Sequence, residues 1–137
     1  MLARARAARG GSLPISVEYA AAMVASTVIV TVLLAGLFAF SSSIKLLGVQ
    51  RSLAIRDHLG VPPTQWRLIG LLELAGVIGV LVGLTWPPLG VAAASGLALL
   101  SVGAVIFHVR AGDGVTETTP AVIGVALAVA TAVVQAI

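Results

Sequence analysis

Few side chains in this sequence could do chemistry, and Glu73 stands out among them. It is the fifth letter of "IGLLELAGVIG" (69–79), an apolar run with no other charge. Ionisable groups inside such runs are rare and costly, and they mark ligand, ion or proton sites by default. Lys45 follows the triplet Ser41, Ser42 and Ser43 near the end of a second apolar stretch, and His108 closes a third. A carboxylate, an ammonium, an imidazole and neighbouring hydroxyls could together hold a polar headgroup or a quinone, or pass a proton through Glu73. The same groups could do no more than lock helices together, with Glu73 paired to Lys45 or accepting bonds from the serines.

A second group of polar residues lies in "HVRAGDG" (108–114). Asp113 between Gly112 and Gly114 is expected to shape a turn. A pair with Arg110 would be a modest surface interaction. His58, in the longest polar loop, is expected to be solvated.

The elements that position these residues follow from composition. The chain has 137 residues, of which 59% are hydrophobic and 9% charged. Its mean hydropathy is +1.13. Soluble domains carry about 25% charged residues, so this chain cannot face water all round and is read as an integral membrane protein. No charge falls between Glu18 and Lys45, between Glu73 and His108, or after Glu117. A membrane-spanning helix needs about 20 apolar residues. The gaps therefore predict spans at about 20–47, 68–84, 88–107 and 120–136. The Pro87–Pro88 pair in "TWPPLG" divides the long middle gap, because proline lacks an amide hydrogen. The segments lack the polar–apolar alternation of barrel strands. The expected fold is all-α, an up-down-up-down bundle of four transmembrane helices.

Four spans put both termini on one side with the Trp86 turn. The loops around 48–65 and 109–119 lie on the other side. Trp66 and Trp86 are expected in the two headgroup belts. Lys45, Arg51, Arg56, Arg67 and Arg110 on the loop side outnumber Arg4, Arg6 and Arg9 on the terminal side, which favours cytoplasmic loops. "MLARARAARG" has the look of a signal-peptide n-region, but the apolar stretch behind it exceeds the ~7–15 residues of an h-region. Residues 1–15 are read instead as a flexible basic arm, and 16–137 as one transmembrane domain. The segment "VQRSLAIRDHLGVPPTQW" (49–66) fits either a short interfacial helix ended by Gly60 or an irregular connector.

Alternating direction brings Lys45, Glu73 and His108 to the loop-side half of the bundle. Glu73 then sits roughly 9–14 Å deep at ~1.5 Å per residue. Gly70, Glu73, Gly76, Val80 and Gly83 fall within an arc of about 140° on one helix. Gly90, Ala94, Leu97, Ser101, Ala104 and His108 make a similar stripe on the next. Small-residue faces pack against other helices in membranes, which points Glu73 and His108 toward protein or a cavity.

Several chemistries are excluded or unsupported. The chain has no cysteine, so it carries no thiol redox chemistry or thiolate-bound cluster of its own. There is no P-loop, dinucleotide fingerprint or metal-ligand spacing. The basic residues sit where membrane anchors sit, so nucleic acid is not an indicated partner.

The pieces "FAFSSSIKLLG" (38–48), "HLGVPP" (58–63), "IGLLELAGVIGVLVG" (69–83) and "AAASGLALLSVGAVIFHVRAGD" (92–113), in this order, resemble the DoxX-like family of small bacterial membrane proteins. Lys45, Glu73, His108, Arg110 and Asp113 fall at the recurrent polar positions of that family. The resemblance implies a four-helix bundle in the bacterial cytoplasmic membrane. It also implies a link to quinone-dependent oxidoreduction or to complexes handling oxidative and thiol stress. A thiol role does not carry over to a chain without cysteine. The leading expectation is an accessory or binding subunit whose cluster of Lys45, Glu73, His108, Ser41 and Ser42 takes a quinone or lipid headgroup. Protein partners or a homo-oligomer would complete it. The alternatives are a small-molecule or proton pathway, a structural scaffold, and a subunit of a quinone-linked oxidoreductase.

Overall fold

The computed structural model describes residues 13–137. The N-terminal arm expected over residues 1–15 therefore lies almost wholly outside the described residues. Among the described residues five helices follow one another: α1 (Ile15–Leu46), α2 (Gln50–Leu59), α3 (Pro63–Val82), α4 (Pro87–Arg110) and α5 (Val115–Ala136). All but α2 are long and apolar enough to cross a membrane. The fold is all-α, with four candidate membrane spans, as the charge gaps predict.

The helix boundaries have local causes. Pro63 and Pro87 open α3 and α4, at a first-turn position where the absent N–H costs nothing. Helix α3 begins before its apolar run does, with Thr64, Gln65 and Arg67 in its first turns. Pro120 lies inside α5 rather than at its start. The segment 49–66 resolves into helix plus turn. At its end the Val61 N–H donates to Arg56 O and the Gly60 N–H to Asp57 O. This is a Schellman stop, and Gly60 takes the left-handed φ of +72° that it requires.

The spans alternate in direction and pack in a ring, with α1 beside α3 and α5, and α4 between α3 and α5. Their shared core is Leu34, Ala35 and Phe38 of α1, Val77 and Val80 of α3, Ala94 and Leu97 of α4, and Ala128 of α5. Glycines set the closest approaches. A Cβ on Gly76 would sit 2.5 Å from a Leu97 methyl, and one on Gly79 would sit 2.5 Å from Ala93 Cβ. Near the Trp86 turn, Gly83 and Gly90 bring the backbones of α3 and α4 together beside Gln135. The Gln135 amide donates to Thr31 Oγ1 (3.0 Å) and Val80 O (3.1 Å), tying α1, α3 and α5 at that end. The outer surface carries large apolar side chains such as Leu33, Leu71, Ile78 and Val129, which is appropriate for contact with lipid rather than water.

Of the two tryptophans, Trp86 is exposed at its turn, whereas Trp66 is buried within the protein rather than on its outer surface. Trp66 turns inward because its indole N–H donates to the buried Ser52 hydroxyl of α2 at 3.1 Å. The buried residues of α1 begin only at Thr31. The residues before it run ~24 Å, at ~1.5 Å per residue, with no buried side chain.

Candidate functional site

Ser41 and Lys45 lie one helical turn apart on α1, so both side chains reach the same face. Across from them stands Glu73 of α3. The Lys45 ammonium donates to Ser41 Oγ at 2.6 Å and to Glu73 Oε1 at 3.2 Å. The Ser41 hydroxyl donates in turn to the same Oε1 at 3.2 Å. Lys45 Nζ also stands 4.8 Å from the centroid of the Trp66 ring, within the range of a cation–π attraction. Gly70 permits this approach, since a Cβ there would lie 3.1 Å from Lys45 Cβ. The pair is removed from solvent, with side-chain exposures of 11% for Lys45 and 7% for Glu73. Glu73 Oε2 has no hydrogen-bond partner among the described residues.

His108 does not join this pair directly. Its Nδ1 lies 2.6 Å from Asp113 Oδ2, and His58 Nε2 lies 2.6 Å from Asp113 Oδ1. The end of α4 delivers Asp113 there. The Asp113 N–H donates to His108 O and the Gly112 N–H to Val109 O, with Gly112 at φ +78°. Asp113 therefore does more than shape a turn, and its partners are two histidines rather than Arg110. His58 is correspondingly not merely solvated, although its side chain remains 54% exposed. A proton on His108 Nδ1 leaves Nε2 of the neutral ring as an acceptor. Nε2 has no protein partner among the described residues.

The hydrogen bond from His108, and next that from His58, hold the Asp113 carboxyl below its ordinary value of 3.8. A group whose folded pKa is depressed stabilises the fold fully above its unfolded value. That contribution is lost as pH falls through the folded one. Thermal unfolding followed by circular dichroism in detergent is thus expected to show an acid-side loss below about pH 4. Asp113→Asn should show a smaller loss over the same window. Parallel curves for the two proteins would remove Asp113 as the source.

The polar groups border a cavity of about 820 Å³. Ser41, Lys45, Trp66, Glu73, Ser101 and His108 contribute to its wall, and the rest of the lining is mostly apolar. Leu72 of α3 and Leu99 and Phe107 of α4 line it while remaining exposed on the outer surface. The cavity is therefore open sideways, between α3 and α4, and its wall runs past the Gly76–Leu97 contact to Gly79, Leu89 and Ala93. Ile55 and Leu59 of α2 and Val61 form part of its loop-side end.

Of the residues singled out by sequence, Ser41, Lys45 and Glu73 form one hydrogen-bonded group, and His108 shares their cavity. Ser42 does not share it. That hydroxyl donates to Ala39 O at 3.1 Å, and the residue is buried on a different face of α1. Arg110 is exposed and outside the cavity wall, and Asp113, also outside it, is hydrogen-bonded to His108. Sequence reading missed the roles of Ser52, His58 and Trp66, because each depends on how α2 lies across the bundle. Among the described residues, no group of three or more His, Cys, Asp or Glu could hold a metal ion.

The sequence model of the DoxX-like family matches residues 29–131. That range contains the whole core, both hydrogen-bonded clusters and the cavity wall. No curated protein and no solved structure matches the chain. With most of its length matched, and with its four spans arranged around these polar positions, the chain belongs to the DoxX-like family.

Proposed function

We propose that this protein is a binding subunit of a bacterial inner-membrane complex concerned with redox or oxidative stress, and that its cavity takes a quinone-type ring. One observation carries the reading. The Lys45–Glu73 pair does not close on itself in a dry core but borders a cavity of about 820 Å³ open toward lipid. A ring with an apolar tail suits that shape, with its polar oxygens inside and its tail leaving between α3 and α4.

Charge balance favours a neutral ligand over an anionic lipid headgroup. Lys45 is already committed to Glu73, and Glu117 adds a second carboxylate to the wall. Among the described residues of the wall, no lysine or arginine is left unpaired for a phosphate. Glu73 Oε2 is without a partner among the described residues, and a reduced ring can donate a hydroxyl to that carboxylate where its oxidised form cannot.

Titration of the purified protein with the reduced and oxidised forms of a short-chain ubiquinone analogue tests this. Fluorescence of Trp66 in the cavity wall reports the binding, with Trp66→Phe as the background from Trp86. The reduced form should bind more tightly. Glu73→Gln should weaken it about tenfold or more, as expected for a hydrogen bond to a charged group worth ~1.5–3 kcal/mol. No binding of either form would overturn the proposal. Binding unchanged in both Glu73→Gln and His108→Gln would move the ligand elsewhere.

A further inference from the structure

Most hydroxyls in the membrane helices are spoken for. Ser26, Thr27, Ser43, Ser95 and Thr131 each donate to the carbonyl four residues back. This is the usual way for a helix in lipid to satisfy a serine or threonine. The buried Ser42, Ser52 and Thr31 also have partners. Ser101 of α4 is different. It is only 4% exposed as a residue and lies in the cavity wall, yet its hydroxyl makes no hydrogen bond among the described residues. A hydroxyl without a protein partner is open to one from a ligand in the cavity that it borders.

The register of the helices fixes its depth. Gly76 of α3 packs on Leu97 of α4. Counting from that contact toward the loop side, Glu73 is three residues along α3 and Ser101 four residues along the antiparallel α4. At ~1.5 Å per residue the two lie within about 1.5 Å of the same level. His108 is two turns nearer the loop-side end. The wall thus offers a polar group on each side at one level, and an imidazole roughly 10 Å from Ser101 toward the loop side. Gly124 of α5 backs the serine, where a Cβ would come 2.7 Å from Ser101 Oγ.

We infer that the Ser101 hydroxyl is a ligand-binding group. It contacts the inner oxygen of the ring from the α4 side while Glu73 faces it from the α3 side. The inference rests on the quinone-type reading of the cavity. It adds that the ring sits at the level of Glu73 rather than at the loop-side end beside His108. A hydroxyl can donate to a carbonyl or accept from a phenol, so Ser101 serves both redox forms.

Ser101→Ala removes one oxygen and no intramolecular bond. The fold should therefore be at least as stable as the wild type, while the short-chain ubiquinone analogue binds about three- to tenfold more weakly in both redox forms, the loss expected for one neutral hydrogen bond. Ser95→Ala, on the same helix but exposed and bonded to Val91 O, should leave the affinity unchanged. Wild-type binding that Ser101→Ala does not weaken would overturn the Ser101 contact and leave the cavity reading standing. Absence of binding by the wild type would overturn the cavity reading and this contact with it. A Ser101→Ala protein that loses stability as well as affinity would make Ser101 a packing residue and overturn its role as a contact.

Discussion

Lys45→Met should destabilise the folded protein by about 3–5 kcal/mol, and adding Glu73→Gln should recover most of that loss. The reason is asymmetry. With both partners present, the buried charges offset each other's desolvation across 3.2 Å. Removing the ammonium leaves a carboxylate with a side-chain exposure of 7% and only the Ser41 hydroxyl to stabilise it. An uncompensated charge in that setting costs far more than the pair contributes. Glutamine at position 73 keeps an acceptor for Ser41 and carries no charge, while methionine at 45 still covers the Trp66 ring. Equilibrium unfolding of single and double variants in mixed micelles measures the difference. A double variant as unstable as Lys45→Met would show that packing around Lys45, not charge, dominates.

The second large effect belongs to the opposite end of the bundle. Gly90→Ala should cost about 3 kcal/mol, at the upper end of what overpacking does. The added Cβ would lie 2.7 Å from Gly83 Cα and 2.8 Å from Gln135 Cδ. A side chain can turn aside, but the Gly83 backbone cannot move without parting α3 from α4. Movement of Gln135 would also break its bonds to Thr31 and Val80. Gly96 and Gly103 sit in the same helix with nothing within 4 Å of an added Cβ. Alanine at either should stabilise by about 0.5–1 kcal/mol, because glycine loses more backbone entropy in a helix. The same unfolding measurement compares them. A Gly90→Ala protein that behaves like Gly96→Ala would mean the helices do not meet there.

The architecture was legible in the sequence because lipid makes one demand of every segment. Long uncharged stretches must be helices, and the prolines at 87 and 88 had to fall at a turn. Glu73 and Lys45 were legible as partners because alternating spans bring the end of one apolar run beside the start of the next. What was not legible depended on how α2 lies on the bundle. Nothing in "QRSLAIRDHL" says that Ser52 takes the Trp66 indole or that His58 reaches Asp113. These contacts join residues 14 and 55 positions apart. Ser42 was misplaced for a simpler reason. Successive residues on a helix point about 100° apart, so Ser41 and Ser42 cannot both face Glu73. Ser101 was visible only as one small residue in a stripe, since a missing hydrogen bond leaves no mark in sequence.

The sideways opening between α3 and α4 also decides what concentration the site feels. A ligand that enters there comes from the bilayer, so occupancy follows its mole fraction among lipids and not its aqueous concentration. Diluting proteoliposomes with buffer should leave the bound fraction unchanged, whereas diluting the ligand with empty lipid should lower it. A tail that stays in the hydrocarbon on both sides of the binding step adds nothing to the difference. For the proposed quinone-type ligand, chain length would then matter little, and selectivity would rest with the ring.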